Sequence, residues 1–331
     1  MTAPAEDPTV GESSEGAVLG RILARLGASH ALVGPGDDAA VIAAPDGRVV
    51  ATTDTLVHGP DFRLAWSSGF DLGWKAASVN LADIAAMGAR PTALLVALAT
   101  PNGTRLSFLE HLADGLRAAC DALAPGCAVE GGDLTVSDTL TIAVTALGSL
   151  EGRAPVLRSG ARAGDVLAVA GELGAAGRGL AILFDRFRDA AAEPVPVDPD
   201  RLTPAEQAAV AAQLRPVPPI ALGAVAAQAG ATAMMDVSDG LVLDASRLAS
   251  ASGVTVDLGA SSLGPDLPAA LTGGEDHALL AAFGPGVELP RGFRVIGRVV
   301  GRSSHPVLVD GAPHDGRAGW DPYRDWDAHS G

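Results

Sequence analysis

The sequence predicts an α+β protein of two domains, each a mixed sheet flanked by helices. First, 331 residues of 48% hydrophobic content can bury a large core and exceed the usual length of one domain. Second, strand-like and helix-like periods alternate through the first half instead of segregating. Third, the segment Glu151 to Gly164 is rich in Gly, Arg and Pro and lacks any period, so the boundary is placed there. Residues 1–12 are expected to be a disordered N-terminus, 13–150 the first domain and 151–331 the second.

In the first domain, Val18, Ile22, Leu23 and Leu26 lie on one helical face, and Ser13-Ser14-Glu15 can cap that helix. Ala39 to Ala43 and Arg48 to Thr53 read as a hairpin around the turn Pro45-Asp46-Gly47. A helix from Asp71 to Met87 is stopped by Gly88 and Pro91. Its apolar face carries Ala77, Leu81 and Ile84, whereas Asn80, Asp83 and Met87 share another. A buried strand (92–99), an amphipathic helix (106–122) and strands at 127–130 and 139–150 complete this half.

The second domain opens with a strand at 166–170, a glycine-rich turn and a helix over 175–187. A proline-rich loop and two Ala-rich helices (204–213 and 219–228) follow, then a strand-turn-helix unit over 231–252. Strands near 254–258, 278–283 and 293–300 close the pattern.

Charge narrows the function classes. With 39 Asp and Glu against 23 Lys and Arg, the formal net is −16, which disfavours a polyanionic partner such as nucleic acid. Lys75 is the single lysine, and its neighbours do not form a Walker A loop. A nucleotide would therefore have to be held through metal ions on carboxylates, backbone N–H groups and a few arginines. Cys120 and Cys127, separated by six residues with no histidine at ligand spacing, suggest neither a disulfide framework nor a zinc site. The first residues are acidic and lack the basic and apolar regions of a signal peptide, so a cytoplasmic location is expected. No apolar run approaches the roughly 20 residues of a membrane span.

The acidic residues are placed unusually for solvated surface groups. Asp54 ends an apolar run, Asp133 follows Gly131-Gly132 after a strand, and Asp236 follows Ala233-Met234-Met235. Strand ends are rigid mounts, and adjacent glycines admit a ligand close to the backbone. Together with Asp38, Asp83, Asp239 and the hydroxyls of Thr52 and Thr53, they form the oxygen-only donor set that magnesium prefers. Singly, Asp37-Asp38 and Asp54 also fit turns or caps, and Asp236-Val237-Ser238-Asp239-Gly240 fits a helix N-cap. An EF-hand is a poor fit because Arg247 occupies its glutamate position. The strand-to-helix turn Gly171 to Gly179 is a second candidate, since a free helix N-terminus attracts anions; helix–sheet packing explains its glycines equally. Arg158 is a candidate phosphate ligand by chemistry, although taken alone it fits a surface arginine of the boundary loop better, and the scattered histidines form no hydrolase motif.

Read together, Gly34-Pro35-Gly36-Asp37-Asp38, Thr52-Thr53-Asp54-Thr55, Val79-Asn80-Leu81-Ala82-Asp83, Glu130-Gly131-Gly132-Asp133, Arg158-Ser159-Gly160-Ala161, Met235-Asp236-Val237-Ser238-Asp239-Gly240 and Gly273-Gly274-Glu275-Asp276 resemble, in order, the motifs of the thiamine-monophosphate kinases. The resemblance spans about Gly16 to Trp320. It implies the fold of aminoimidazole ribonucleotide synthetase, with N-terminal domains paired in a homodimer, and a transfer of phosphate from ATP to thiamine monophosphate. By the same resemblance Asp38, Thr52, Thr53, Asp54, Asp83, Asp133, Asp236 and Asp239 bind several magnesium ions. Gly132, Asp133, Arg158 and Ser238 touch ATP, and Asp61, Glu275 and Trp320 hold thiamine phosphate, with Asp54, Asp83 and Arg158 nearest the chemistry. Two positions depart from the pattern: Asp61 stands where many relatives have His, and Leu134 where a threonine is common. The substrate's phosphate oxygen, already ionised at neutral pH, would attack the γ-phosphorus in line without a general base. Selenophosphate synthetase and a hydrogenase-maturation dehydratase are related alternatives, disfavoured by the lack of an N-terminal and a C-terminal cysteine respectively. A silent sensor of thiamine phosphates is the alternative outside enzymes.

Overall fold

The computed structural model describes residues 7–35 and 39–320. Its first half contains α1 (Glu15–Leu26), β1 (Val50–Val57), α2 (Gly69–Ala86), β2 (Arg90–Thr100), α3 (Leu106–Leu123), β3 (Ala128–Val136) and β4 (Thr141–Ser149). The strands form one sheet in the order β1-β4-β2-β3, antiparallel except for the parallel β2–β3 pair. Strand alternation divides its residues cleanly. Cross-strand partners put Thr53, Thr145, Thr55, Ala143, Ala97 and Asp133 on one face, and Thr52, Asp54, Ile142 and Val144 on the other. The second face is roofed by α2, so Ile142, Val144 and Ala146 are buried.

The α2 helix starts at a capping box in which Ser68 and Asp71 satisfy each other's backbone. It lies very close to α3: a Cβ on Gly73 would overlap the Leu112 carbonyl oxygen, and one on Gly115 the Phe70 carbonyl oxygen. The same helix touches Pro204–Leu214, Ala221–Gln228, Ala231–Val237 and Ala278–Phe283 of the second half, so it is buried on most sides and has no solvated face for much of its length.

The second half comprises β5 (Val166–Ala170), α4 (Ala175–Arg186), α5 (Pro204–Leu214), α6 (Ala221–Gln228), β6 (Ala231–Val237), α7 (Leu241–Ser252), β7 (Thr255–Leu258), α8 (Leu267–Thr272), β8 (Ala278–Phe283), β9 (Phe293–Val300), β10 (Val307–Val309) and β11 (Ala312–Pro313). Its seven strands form a mixed sheet in the order β11-β10-β7-β9-β5-β8-β6. Strands β5, β6 and β8 are apolar on both faces: Leu167, Met235 and Leu280 pack in the cluster that includes α7, whereas Ala168, Met234 and Ala281 pack with Val156 and Ala226. Asp236 shares the parity of Met234, so it leaves β6 on the side facing the first half.

The mixed α+β architecture with two sheets and flanking helices agrees with the fold class read from the sequence. The expected hairpin does not form. The Pro45–Gly47 turn is present, with Gly47 N–H donating to the Ala44 carbonyl at 3.0 Å, but its arms diverge. Val41 instead bridges Val33, and β1 begins at Val50 and pairs along its whole length with β4. Pairing with a long, half-buried strand outweighs the local turn. Three short elements, α8, β10 and β11, carry too few residues to show a period and went unseen in the sequence.

Candidate active site

The site forms where β1, α2 and β6 meet. Asp54 and Thr52 leave the helix-covered face of β1, opposite the Asn80–Asp83 turn of α2. Asn80 Oδ1 accepts the Asp54 N–H at 3.1 Å while its own amide donates to the Ala76 carbonyl at 2.9 Å. Thr52 Oγ1 donates to Asp83 Oδ2 at 2.7 Å. Across the junction, Asp236 Oδ2 meets His277 Nδ1 at 3.0 Å.

Electrostatics confirm that the three carboxylates sense one another. Burial, then repulsion from Asp236 and Asp54, pushes Asp83 up to about 7, against the opposing hydrogen bond from Thr52. Burial and Asp236 likewise raise Asp54, with His277 partly offsetting them. Burial disfavours a charged His277, but Asp236, with Glu275 and Asp83, outweighs it and raises the imidazole above its ordinary value. Such mutual repulsion is what a bound dication relieves. The donor set fits a hard cation, being carboxylate and hydroxyl oxygen. Among the described residues, no group of three or more His, Cys, Asp and Glu closes as a ready-made metal cage.

Not all expected ligands converge. Thr53 points to the other face of the sheet, where it donates to the Val144 carbonyl at 3.0 Å and accepts from Thr145 at 3.2 Å. Asp133 shares that exposed face on β3, the opposite edge from β1 and three strand spacings, roughly 14 Å, away. Gly132 is needed by packing, since a Cβ there would overlap the Val96 carbonyl oxygen. Asp239 is held by Arg247 at 2.6 Å. Arg247 also pairs with the buried Asp244, whose carboxylate accepts the Asp239 and Gly240 N–H groups at 2.9 and 3.2 Å. Asp38 lies outside the described residues. Arg158 is exposed in the segment along the edge of β6, where Met234 N–H donates to the Leu157 carbonyl at 3.1 Å.

The Ser238–Asp239 turn gathers the expected acceptor residues. The Ser238 carbonyl accepts from Glu275 N–H at 2.8 Å and the Asp239 carbonyl from Trp320 N–H at 2.9 Å, while Arg317 lies 5.7 Å from the Trp320 ring centroid. Asp61, fixed by the Val57 N–H at 2.7 Å, is raised by burial and by its neighbour Glu275. The glycine-rich N-terminus of α4 is already occupied by a carboxylate of the chain: Asp276 Oδ1 accepts the Ala176 N–H at 2.8 Å.

Sequence reasoning missed Lys75 as a site residue, together with His277, Asp276 and Glu130. Glu130 is buried and accepts from His30 N–H at 2.6 Å and from Ser29 Oγ, anchoring the segment that leads to the Gly34-Pro35 motif. All four are defined by partners distant in sequence, and only the placement of Glu130 and Asp276 beside quoted glycines could have drawn attention.

Two sheets joined through a shared helix, with carboxylates at the junction, define a class. Residues 36–150 match the family model described as AIR synthase related protein, N-terminal domain. Within that class, the chain is 42% identical over 340 residues to a thiamine-monophosphate kinase of Mycobacterium tuberculosis, covering 96% of this chain and 94% of that protein. Among solved structures, AaThiL complexed with AMPPCP and TMP matches with a TM-score of 0.73 at 30% identity, over 92% of this chain and 96% of that one. A thiamine-monophosphate kinase from Stenotrophomonas maltophilia matches with a TM-score of 0.74 at 33% identity, over 91% and 98%. The chain belongs to the thiamine-monophosphate kinase family.

Proposed function

We propose that the protein transfers the γ-phosphate of ATP to thiamine monophosphate, giving thiamine diphosphate and ADP, with magnesium held by Thr52, Asp54, Asp83 and Asp236. The observation that carries this reading is the convergence of Asp54, Asp83 and Asp236 from β1, α2 and β6, beside a second acidic group, Asp61 and Glu275. Bound magnesium would neutralise the polyphosphate and the charge that develops on transfer. Arg158, exposed, supplies a guanidinium for phosphate, and the carbonyl of Ser238, two residues after Asp236, accepts the Glu275 N–H at 2.8 Å. Asp61, Glu275 and the Trp320 ring suit a flat organic cation. The acceptor phosphate is ionised at neutral pH, so positioning replaces a general base in the in-line attack.

We assign 13–150 and 151–331 to two domains, since one sheet is built from 50–149 and the other from 166–313. A homodimer through the uncovered face of the four-stranded sheet is supported by the small and apolar residues there, including Ala51, Thr55 and Ala97. Thr53 and Asp133 would then sit at that interface as further magnesium ligands, with Gly132 beside them. Asp239 would join them on release from Arg247, and Asp38 completes the proposed set. Among the described residues no helix is long and apolar enough to cross a membrane, and the acidic balance suits a cytoplasmic enzyme with no nucleic-acid partner.

The test is incubation with ATP, magnesium and thiamine monophosphate, with product read by chromatography. Magnesium-dependent thiamine diphosphate is expected, and Asp54→Asn should lower kcat by at least about a hundredfold while keeping the fold. Binding without turnover would favour a silent sensor, and an Asp54→Asn enzyme of near-normal rate would sink the metal role.

A further inference from the structure

The single lysine of the chain is buried in the wall of the acceptor site, where a purely structural role explains only part of its surroundings. Lys75 lies on α2 two turns before Asp83, about 12 Å along the helix axis. Its side chain is 6% exposed and forms an ion pair with Glu275. Its other two protons are also accounted for: the Gln213 backbone carbonyl accepts at 3.3 Å, and the Gln213 amide, oriented so that both its ends are satisfied, accepts at 3.1 Å and donates to the Ala176 carbonyl at 3.2 Å. All three acceptors belong to the second half of the chain.

Glu275 is the reason for this arrangement. Its φ of 72° lies in the left-handed region, and His277 follows at 52°, although Gly273 and Gly274 immediately precede. A side chain has been kept where the backbone disfavours one, on a loop pinned by Asp276 to α4 and by His277 to Asp236. The Glu275 side chain remains 40% exposed while the lysine behind it is shut off. Asp61 lies near enough for the two carboxylates to repel.

We propose that Lys75 is a positioning residue for the acceptor: by fixing Glu275 and cancelling one of two negative charges, it leaves the Asp61–Glu275 group with one net charge to bind one organic cation, the thiazolium of thiamine monophosphate. The inference rests on the thiamine kinase reading of the site. An unrestrained Glu275 would turn away from Asp61, and a cation would then find Asp61 alone, held by the Val57 N–H.

Steady-state kinetics and calorimetry of Lys75→Met, Glu275→Gln and the double variant test this. The KM and Kd for thiamine monophosphate are expected to rise on the order of tenfold or more in Lys75→Met, with the KM for ATP unchanged. Because Lys75 acts through Glu275, the double variant should be no worse than Glu275→Gln alone. Unchanged affinity for thiamine monophosphate, equal losses for both substrates, or simple addition of the two effects overturns the proposal. Should Lys75→Met not fold, Lys75→Arg, which keeps the charge but displaces it, is held to the same split between substrates. A wild-type protein that binds thiamine monophosphate without phosphorylating it overturns the kinase reading, and the calorimetric comparison still decides the role of Lys75; one that does not bind it overturns both.

Discussion

Asp83 occupies a position where the protein works against its own carboxylate. Thr52 donates to it, but burial and the charges of Asp236 and Asp54 hold its pKa at about 7. The native state therefore binds this proton more tightly than the unfolded chain does. The associated stability is fully present below the ordinary carboxylate pKa and is lost as pH rises through about 7. Metal-free protein is accordingly expected to melt at lower temperature at pH 8 than at pH 6, and added magnesium should reduce or reverse that slope, because the ion binds the deprotonated form. Thermal scans in EDTA and in magnesium measure it. An identical slope for wild type and Asp83→Asn in EDTA would remove Asp83 as its cause. Asp54 and Asp83 could be singled out from sequence because they sit at a strand end and on a helix face of small residues. His277 could not, since its meaning comes only from Asp236, 41 residues away.

At the level of elements, α2 is the structural axis of the site. It carries Lys75 toward the acceptor group and Asn80 and Asp83 toward β1, so a shift along its axis would disturb both. Its position is set by backbone contact with α3 at Gly69, Gly73 and Gly115, where no side chain fits. Gly73→Val should therefore separate the helices instead of merely filling space, costing more than the 1–3 kcal/mol or so of ordinary overpacking. Calorimetry should record a fall in Tm of many degrees, and a loss below about 1 kcal/mol would mean that the helices can part cheaply. The existence of this helix was legible from its period and its Gly88 stop. Its burial on several sides was not, because α5, α6 and β6 contribute that cover from far along the chain. The false hairpin has the converse origin: the local turn signal at Pro45-Asp46-Gly47 was real, but β4, some ninety residues on, decides which strand β1 joins.

For the whole molecule, the four-stranded sheet leaves one side uncovered. Ala51, Thr53, Thr55 and Ala97 are exposed on it, flanked by half-buried Leu95, Ala143 and Leu147. A concave surface of small and apolar side chains, walled on one side by Ile22, Leu26 and Ile42 and with Asp133 among its lining residues, is poorly suited to water and suited to a second copy of the chain. The same face bears Thr53 and Asp133, so these two expected metal ligands, which miss the junction of β1, α2 and β6, are ones a pairing would enclose. Ala97→Glu tests this directly. If the chain pairs through this face, a like charge carried by each copy, away from Asp54, Asp83 and Asp236, should leave a species of 33.0 kDa by light scattering. If Thr53 and Asp133 act only in the assembled pair, phosphoryl transfer should fall with dissociation and recover at high protein concentration. A monomeric wild type with full activity would instead confine the working site to the junction residues of a single chain.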